Sequence, residues 1–315
     1  MGFGTLQRRR RALQIGFLVL FLVAPALDWL RFDLHEAQLW FLGGRWSLGI
    51  DDFALGKLTA TEVAMSIIAR GILPAVTLVI CFLAVAWRYG RLYCGWLCPH
   101  FSLVELLNDL LHRASGRFSV WERDAVVVGD RKPQARYWPL FALSCVTFGI
   151  MWAITLLTYL LPPAEIWGGL VNGTLTTNQS RFLLVASVVF SLEFAFARHF
   201  FCRFGCAVGF FQSLAWMANP KGMVIAYDAQ KTRDCKSCAS ARSPGGSSCD
   251  NACPMRLRPR QVKRMMFSCV QCGRCVSECA ESAARRSTMP PLEWRIGVDA
   301  LRESATRRRD AKMDS

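Results

Sequence analysis

The chain has 315 residues, of which 53% are hydrophobic and only 19% charged, yet its formal net charge is +15. That balance excludes an ordinary soluble domain with a mixed charged surface and points to a membrane protein with basic polar segments. No phosphate-binding glycine loop or hydrolytic constellation is present, and the placement of the basic residues gives no support to a nucleic-acid partner.

In chain order, residues 1–11 form a basic N-terminus carrying Arg8 to Arg11. Four apolar segments follow, at about 12–30, 63–87, 137–161 and 182–200. Each suits a bilayer core of ~30 Å, which takes roughly 20 helical residues. The second holds Arg70 and Pro74, so it can start late, with 59–70 lying at the interface. The fourth holds Glu193, an intramembrane acid and hence a candidate for a proton or quinol role; a local ion pair with Arg198 is the structural alternative.

Of the 38 Lys and Arg, 33 fall in the N-terminus, in the 88–136 loop, or from Arg198 onward, while the 162–180 loop has none. The positive-inside rule then puts both termini, that loop and the C-terminal region in the cytoplasm, and the lipid bilayer itself is the first partner. The N-terminal run resembles a signal peptide, with Ala24-Pro25-Ala26 as a small-residue pattern. Its apolar stretch continues through Leu30, which favours a retained helix. A twin-arginine export signal would oppose the charge distribution.

Cysteine carries the sharpest information. Twelve of the fourteen cysteines fall into four groups, all on the predicted cytoplasmic side, where thiols bind metal or do redox work more often than they form disulfides. Cys81 and Cys145 stand alone in predicted membrane helices and read as small buried hydrophobes. "CVQCGRCVSECA" gives Cys269, Cys272, Cys275 and Cys279 the spacing C-x2-C-x2-C-x3-C. "CKSCASARSPGGSSCDNACP" gives Cys235, Cys238, Cys249 and Cys253, with ten residues between the inner pair. This spacing suits cubane iron–sulfur clusters better than tetrahedral zinc. Together the two runs resemble a two-cluster bacterial-type ferredoxin domain. That resemblance assigns Cys235, Cys238, Cys249 and Cys279 to one [4Fe-4S] cluster, and Cys269, Cys272, Cys275 and Cys253 to the other.

The remaining pairs are "RLYCGWLCPHF", with Cys94 and Cys98, and "HFFCRFGC", with Cys202 and Cys206. Each ends a predicted span, and the two copies are 108 residues apart. That repetition suggests two parallel helical hairpins that gather the four thiols at the cytoplasmic boundary. If helical, i,i+4 spacing puts each pair on one face, although Pro99 disfavours helix at Cys98 and can itself open the next helix. Helix N-termini and nearby cations (Arg91, Arg203, His100 and His199) predict lowered thiol pKa values, with the two histidines as further metal ligands. Such a quartet suits copper, an additional Fe–S centre or zinc, or a dithiol–disulfide cycle.

With these motifs in view, the chain resembles membrane-bound polyferredoxins, nearest the cytochrome cbb3 oxidase accessory proteins of the FixG/CcoG/RdxA type. "FDLHEAQLWFLGGRWSLGIDDF", "RLYCGWLCPHFSLVEL" and "CRFGCAVGFFQS" leading into "GMVIAYD" carry the resemblance over roughly 12–282. It departs at Ala207, where proline is usual, at Ala280, and in lacking the fifth span and exported β-sandwich domain of that family. The fold expected is an α-helical membrane protein of four transmembrane helices, 12–218, plus a small α+β two-cluster ferredoxin-like domain, 219–282, and a basic polar tail, 283–315.

The function expected is iron–sulfur electron transfer at the bacterial inner membrane, delivering electrons to the Cys94/Cys98/Cys202/Cys206 quartet. The resemblance implies Cu(II) to Cu(I) reduction for oxidase assembly, with copper-handling or assembly proteins as partners. Two alternatives are a quinol-linked subunit fed by the quinone pool or by a cytoplasmic donor, and a redox- or metal-sensing assembly factor without turnover. The candidate activity is thus that of an oxidoreductase, cupric or quinol-linked.

Overall fold

The computed structural model describes residues 3–122, 133–228, 247–285 and 287–302. Cys235 and Cys238 lie outside the described residues, as does the end of the sequence from 303. The described chain is mostly helical and divides into two compact units. One comprises Met1–Leu18, Ala84–Cys145 and Leu192–Ser315; the other comprises Val19–Leu83 and Val146–Ser191.

Among the described residues, three helices are long and apolar enough to cross a membrane: Ala60–Tyr89, Tyr137–Leu160 and Thr177–Ala197. Helix α1 (Phe3–Ala26) is not among them. Its first half carries Arg8 to Arg11, and the stretch 12–26 would rise only ~22 Å at 1.5 Å per residue. The segment expected to run to residue 30 stops at Ala26 because the chain turns through Asp28, at φ 55, into a strand.

In the second unit, β1 (Leu30–Asp33), β2 (Gln38–Phe41) and β3 (Gly44–Trp46) form an antiparallel sheet that the sequence reading did not anticipate. Leu42 and Gly43, both with positive φ, make the tight β2–β3 hairpin. Buried Arg31 ties β1 together by pairing with Asp28 and Asp33, under the Trp40 ring. A short helix, α2 (Ile50–Ala54), leads to Thr59, which caps α3 (Ala60–Tyr89) through a capping box with Glu62.

α3 is thus helical from Ala60. It widens into a π-turn at Ile68–Ile72. Pro74 has no N–H to bond the Arg70 carbonyl four residues back, and the Trp46 indole N–H takes that place at 2.9 Å. Leu157 and Leu161 of α6 (Tyr137–Leu160) and the residues after it pack with Ile166 of α7 (Pro163–Asn172). Gly149 of α6 lies flush against Ser187 and Ser191 of α8 (Thr177–Ala197), the small-residue contact by which membrane helices approach closely.

In the first unit, α5 (Pro99–Ser115) is central, with Phe101, Val104, Leu107 and Leu111 fully buried. Its apolar stripe is the core of the unit. α9 (Ala207–Ala218) buries Gln212, Ser213 and Trp216 and exposes Phe210, Phe211 and Leu214. β4 (Val224–Tyr227) pairs antiparallel with β5 (Leu292–Arg295), and Gly297 N–H donates to the Lys221 carbonyl at 2.8 Å. The solvated tail expected from residue 283 therefore does not start there. Leu292 and Ala300 are buried because the second strand of the ferredoxin-type sheet comes from that stretch.

Candidate iron–sulfur and thiol centres

The two C-x3-C motifs fold as the same turn. After α3, Gly90 reverses the chain at φ 69 and a short helix, α4 (Leu92–Trp96), carries Cys94. Cys98 N–H then reaches five residues back to the Tyr93 carbonyl at 2.9 Å. Cys98 is the N-cap of α5, with Pro99 in its first turn. In the second copy, Cys202 lies in a π-turn, Phe201–Gly205, and Cys206 N–H reaches the Phe201 carbonyl at 2.9 Å. Cys206 is the N-cap of α9.

The cysteines of a pair are therefore not two positions of one α-helix face. The second of each leaves the helix and opens the next one, as proline after Cys98 demands. Ala207 fills the same first helical position, where an N–H has no intrahelical partner in any case.

This turn brings the four thiols within electrostatic reach of one another. Cys94 and Cys202 are buried, while Cys98 and Cys206 are half-buried. The Gln212 amide donates to Cys94 Sγ at 3.6 Å, and His100 Nδ1 lies 3.6 Å from Cys202 Sγ. Gly209 N–H points at Cys206 Sγ at 3.5 Å, and the N–H groups of Phe101 and His100 point at Cys98. Arg91, fully buried, donates to the Cys202 carbonyl at 2.6 Å and packs on Gly209, where any side chain would collide with it.

Lowered thiol pKa values are not what results. Burial pushes Cys98 up to about 12 and raises Cys94 in spite of Arg91, and it raises Cys202 further. Free, these three thiols are neutral, and only a metal, a cluster or oxidation gives their sulfurs another state.

The other predicted residues divide clearly. His100 joins the quartet through Cys202, and its Nε2 pairs with Glu193 Oε2 at 3.0 Å while its ring stacks on Phe194. Glu193 therefore pairs with His100 rather than with Arg198. His199 lies against Phe200, with its Nδ1 lacking a hydrogen-bond partner, and none of its described contacts is to a thiol.

A second group forms around the ferredoxin-type sequence. Cys253, Cys269, Cys272 and Cys275 line one small closed cavity with Ile225, Met255, Leu257 and Met266. Gln271 and Gly273, at φ 51 and 70, curl the loop, and Trp294 of β5 covers Gly273. Gly273 caps α10 (Arg274–Ala284). Leu257 N–H donates to Cys253 Sγ at 3.4 Å. Burial pushes the Cys253 thiol up to about 11 and the other three up as well. Four convergent sulfurs in an apolar cavity, with a backbone N–H aimed at one of them, are a donor set that fits a [4Fe-4S] cluster. Cys249 and Cys279 lie within electrostatic reach of each other, with burial pushing Cys249 up to about 12; the partners expected for them are Cys235 and Cys238.

The two sulfur groups adjoin. Gly95, between Cys94 and Cys98, presses its bare Cα against the Val270 carbonyl and the Cys272 backbone. Trp96 donates to the Gln271 carbonyl at 3.0 Å. A buried network braces this seam: Arg10 donates to the Gly95 carbonyl at 3.0 Å and pairs with Glu105, which also pairs with Arg274 at 2.9 Å. Gln7 bonds the Cys272 carbonyl at 3.2 Å. Glu105 is buried, which alone would raise its pKa, but Arg10, Arg274 and Gln14 hold it at about 2. The sequence reading missed Gly95, Gln212 and the Arg10–Glu105–Arg274 network. The one readable signal was a glycine inside the first C-x3-C motif; the network pairs residues more than ninety positions apart.

A family described as 4Fe-4S binding domain matches residues 72–117 and 180–221, the two stretches that carry the repeated cysteine turn. The chain is 26% identical to the ferredoxin-type protein NapH of Escherichia coli K12, over 82% of this chain and 83% of that protein. It is 24% identical to the NapH of Haemophilus influenzae, over 89% and 88%. It is 24% identical to the putative electron transport protein YccM of E. coli K12 over 65% of this chain, spanning about half, 53%, of that protein's length. No solved structure matches.

These matches and the three apolar helices support a membrane polyferredoxin, an iron–sulfur electron-transfer protein. Within that class the chain is related to the ferredoxin-type protein NapH. Nothing in the comparisons supports the cbb3 oxidase accessory type, copper reduction or an oxidase-assembly partner.

Proposed function

We propose that this protein passes electrons one at a time between a ferredoxin-type domain and a sulfur centre built on the two cysteine turns. Cys253, Cys269, Cys272 and Cys275 would hold one [4Fe-4S] cluster. Cys235, Cys238, Cys249 and Cys279 would hold a second, and Cys94, Cys98, Cys202 and Cys206 a further iron–sulfur centre. Such clusters supply one-electron storage when bound.

The observation that carries the reading is the seam at Gly95, where the backbone between Cys94 and Cys98 touches the backbone between Cys269 and Cys272. The protein's own contribution there is positional. Gly95 permits contact, Trp96 fixes it, and the buried Arg10–Glu105–Arg274 network holds it rigid. The membrane reading has four spans, with α1 as the fourth, in a bacterial inner membrane with the cysteine centres in the cytoplasm. Because the spans alternate in direction, the ends of Ala60–Tyr89 and Thr177–Ala197 fall on the same side, as convergence of the quartet requires.

Iron and acid-labile sulfide per chain, measured on anaerobically purified protein beside the quartet Cys→Ala variant, test this. Two cubanes predict about eight iron atoms in the variant, and a further centre adds about two to four in the wild type. Equal values of about eight would remove the iron–sulfur assignment of the quartet. Because the same thiols suit Cu(I), copper is assayed in parallel. A copper ion retained in the wild type and lost in the variant would restore the cupric reading.

A second reading, electron entry from the quinone pool, is favoured by the Glu193–His100 pair beside Cys202. Quinol-dependent reduction of the protein in liposomes, impaired by Glu193→Gln, is its expected signature.

A further inference from the structure

The sheet β1–β3 has the wrong polarity for a sheet that meets water. On β1 the polar Arg31 and Asp33 are buried while Leu30 and Phe32 are exposed, and Phe41 of β2 and Trp46 of β3 are exposed too. With Arg70, Pro74 and Leu78 of α3, these apolar side chains line a cavity of about 580 Å³. Two hydrogen bonds tie sheet to helix there. Trp46 Nε1 donates to the Arg70 carbonyl at 2.9 Å, and the Arg70 guanidinium donates to the Ser47 carbonyl at 3.3 Å. The cavity lies wholly within the second unit, and its volume falls in the range of ~300–1,000 Å³ usual for sites that take one small molecule.

Its place along α3 sets what can reach it. Arg70 precedes Tyr89 by nineteen residues, about 28 Å of rise at 1.5 Å per residue, against a bilayer core of ~30 Å. With Tyr89 at one boundary, Arg70 stands at headgroup depth at the other, and Pro74 and Leu78 stand at acyl-chain depth. Leu78 is exposed on the span, so the cavity is open to the bilayer on that side.

Charge then selects the headgroup. Glu36 at the cavity is matched by Arg45 at 2.6 Å. Arg70 and Asp51 line the same cavity, and neither has an ion-pair partner among the described residues; the Asp51 carboxylate accepts from the Gln38 amide. One unmatched charge of each sign suits a ligand that carries both. A guanidinium fits a phosphate, and a carboxylate takes the N–H groups of a primary ammonium.

We propose that this cavity binds one phosphatidylethanolamine molecule from the bilayer. Its phosphate lies on Arg70, its ammonium on Asp51, and an acyl chain runs against Pro74, Leu78 and the apolar side chains of the sheet. The site is separate from the sulfur centres and does not rest on the electron-transfer reading.

The test uses the full chain in detergent, freed of co-purified lipid. Dioleoylphosphatidylethanolamine or dioleoylphosphatidylglycerol is titrated in, and bound lipid is counted by native mass spectrometry. Saturable binding of one phosphatidylethanolamine per chain is expected. Arg70→Gln should weaken both lipids by about three- to fivefold, the scale of a charge pair that keeps contact with water. Asp51→Asn should weaken phosphatidylethanolamine by a similar factor, yet leave phosphatidylglycerol unchanged or tighter, because it removes a carboxylate that repels a net anion. A misfolded variant would lose both lipids alike. Ala75→Trp, which fills the cavity from α3, should abolish binding of both with iron content as in wild type.

The headgroup assignment fails if Asp51→Asn changes the two lipids equally or changes neither, and this arm holds even where Ala75→Trp does not fold. Lipid binding that persists in a folded, iron-loaded Ala75→Trp chain would put the lipid elsewhere. Either result overturns the proposal. So would decylubiquinone that binds saturably, is lost in Ala75→Trp and is not displaced by phosphatidylethanolamine.

Discussion

Gly95→Ala is the sharpest perturbation available at the seam between the two sulfur groups. A Cβ built on Gly95 would overlap the Val270 carbonyl oxygen outright, and would stand 3.1 Å from the Val270 carbon and 3.3 Å from Cys272 N. All three atoms are backbone, so no side-chain rotation relieves the clash. The loop must retreat by about 1 Å or more to restore ordinary contact, and overpacking of that kind costs about 1–3 kcal/mol. The loop that retreats holds Cys269 and Cys272, so the cavity lined by their thiols opens with it.

Chelator-driven iron release and thermal unfolding, each beside wild type, are the assays. Iron release should be faster by roughly 5- to 150-fold, the range that 1–3 kcal/mol corresponds to if the same opening limits release. The midpoint of unfolding should fall as well. Gly168→Ala is the control, since a Cβ there meets nothing within 4 Å and the position is inside a helix; it should leave iron release unchanged and hold or slightly raise the unfolding midpoint. Wild-type iron release and wild-type unfolding in Gly95→Ala would mean that the Cys94–Cys98 turn does not abut the cluster loop, and the electron-transfer reading would lose its basis.

Three further outcomes follow from single contacts. Glu105 is held at about 2 against an ordinary 4.5, so it stabilises the fold fully above pH 4.5 and loses that contribution as pH falls toward 2. The contribution is on the order of 3 kcal/mol. Glu105→Gln should lower unfolding midpoints at pH 7 and flatten their decline between pH 4.5 and 2. Ala207→Pro should be neutral or stabilising by up to about 1 kcal/mol, because Cys206 at φ −82, ψ 108 already adopts what a following proline requires; a loss of iron would contradict the shared-turn description. Gly149→Leu should destabilise the unit of α6 and α8 by several kcal/mol, since its Cβ would overlap the Ser191 hydroxyl. Unchanged thermal unfolding in detergent would refute that packing.

Much of the site was legible because cysteine spacing encodes chain geometry locally. Pro99 announced that Cys98 would open a helix, and the resemblance that grouped Cys253 with Cys269, Cys272 and Cys275 named the four thiols that share one cavity. The β1–β3 sheet was hidden because its strands are three or four residues long, and because β1 alternates the wrong way round, burying Arg31 and Asp33 and exposing Leu30 and Phe32, while β2 and β3 carry no alternation. β5 was hidden for a different reason. Its partner β4 is sixty-odd residues upstream, and it sits among arginines that read as a solvated tail. The thiol pKa values were misjudged because the sequence shows Arg91 and the helix ends but not burial, and at Cys94 and Cys98 burial prevails.

The two turns explain why a four-thiol centre can be assembled from motifs 108 residues apart. In each copy the second cysteine satisfies its own N–H by reaching five residues back, and then lends its position as cap to the following helix. Its sulfur therefore faces the N–H groups at that helix start, seen as Gly209 at Cys206 and Phe101 at Cys98. Those donors favour a sulfur that bears negative charge, which burial opposes in the free Cys98 thiol. The arrangement is poised for a bound cation or cluster, because that is the state in which burial and the helix N–H groups cease to oppose each other. Gln212 and His100 extend the same logic to the first cysteines, supplying one side-chain contact each to Cys94 and Cys202. Gln212 could not have been found by spacing, since it belongs to the opposite repeat from Cys94; His100 was legible beside Cys98, but the thiol it touches, Cys202, is in the opposite repeat. The centre is thus cross-braced: each copy of the turn supplies the side chain that steadies the buried thiol of the other.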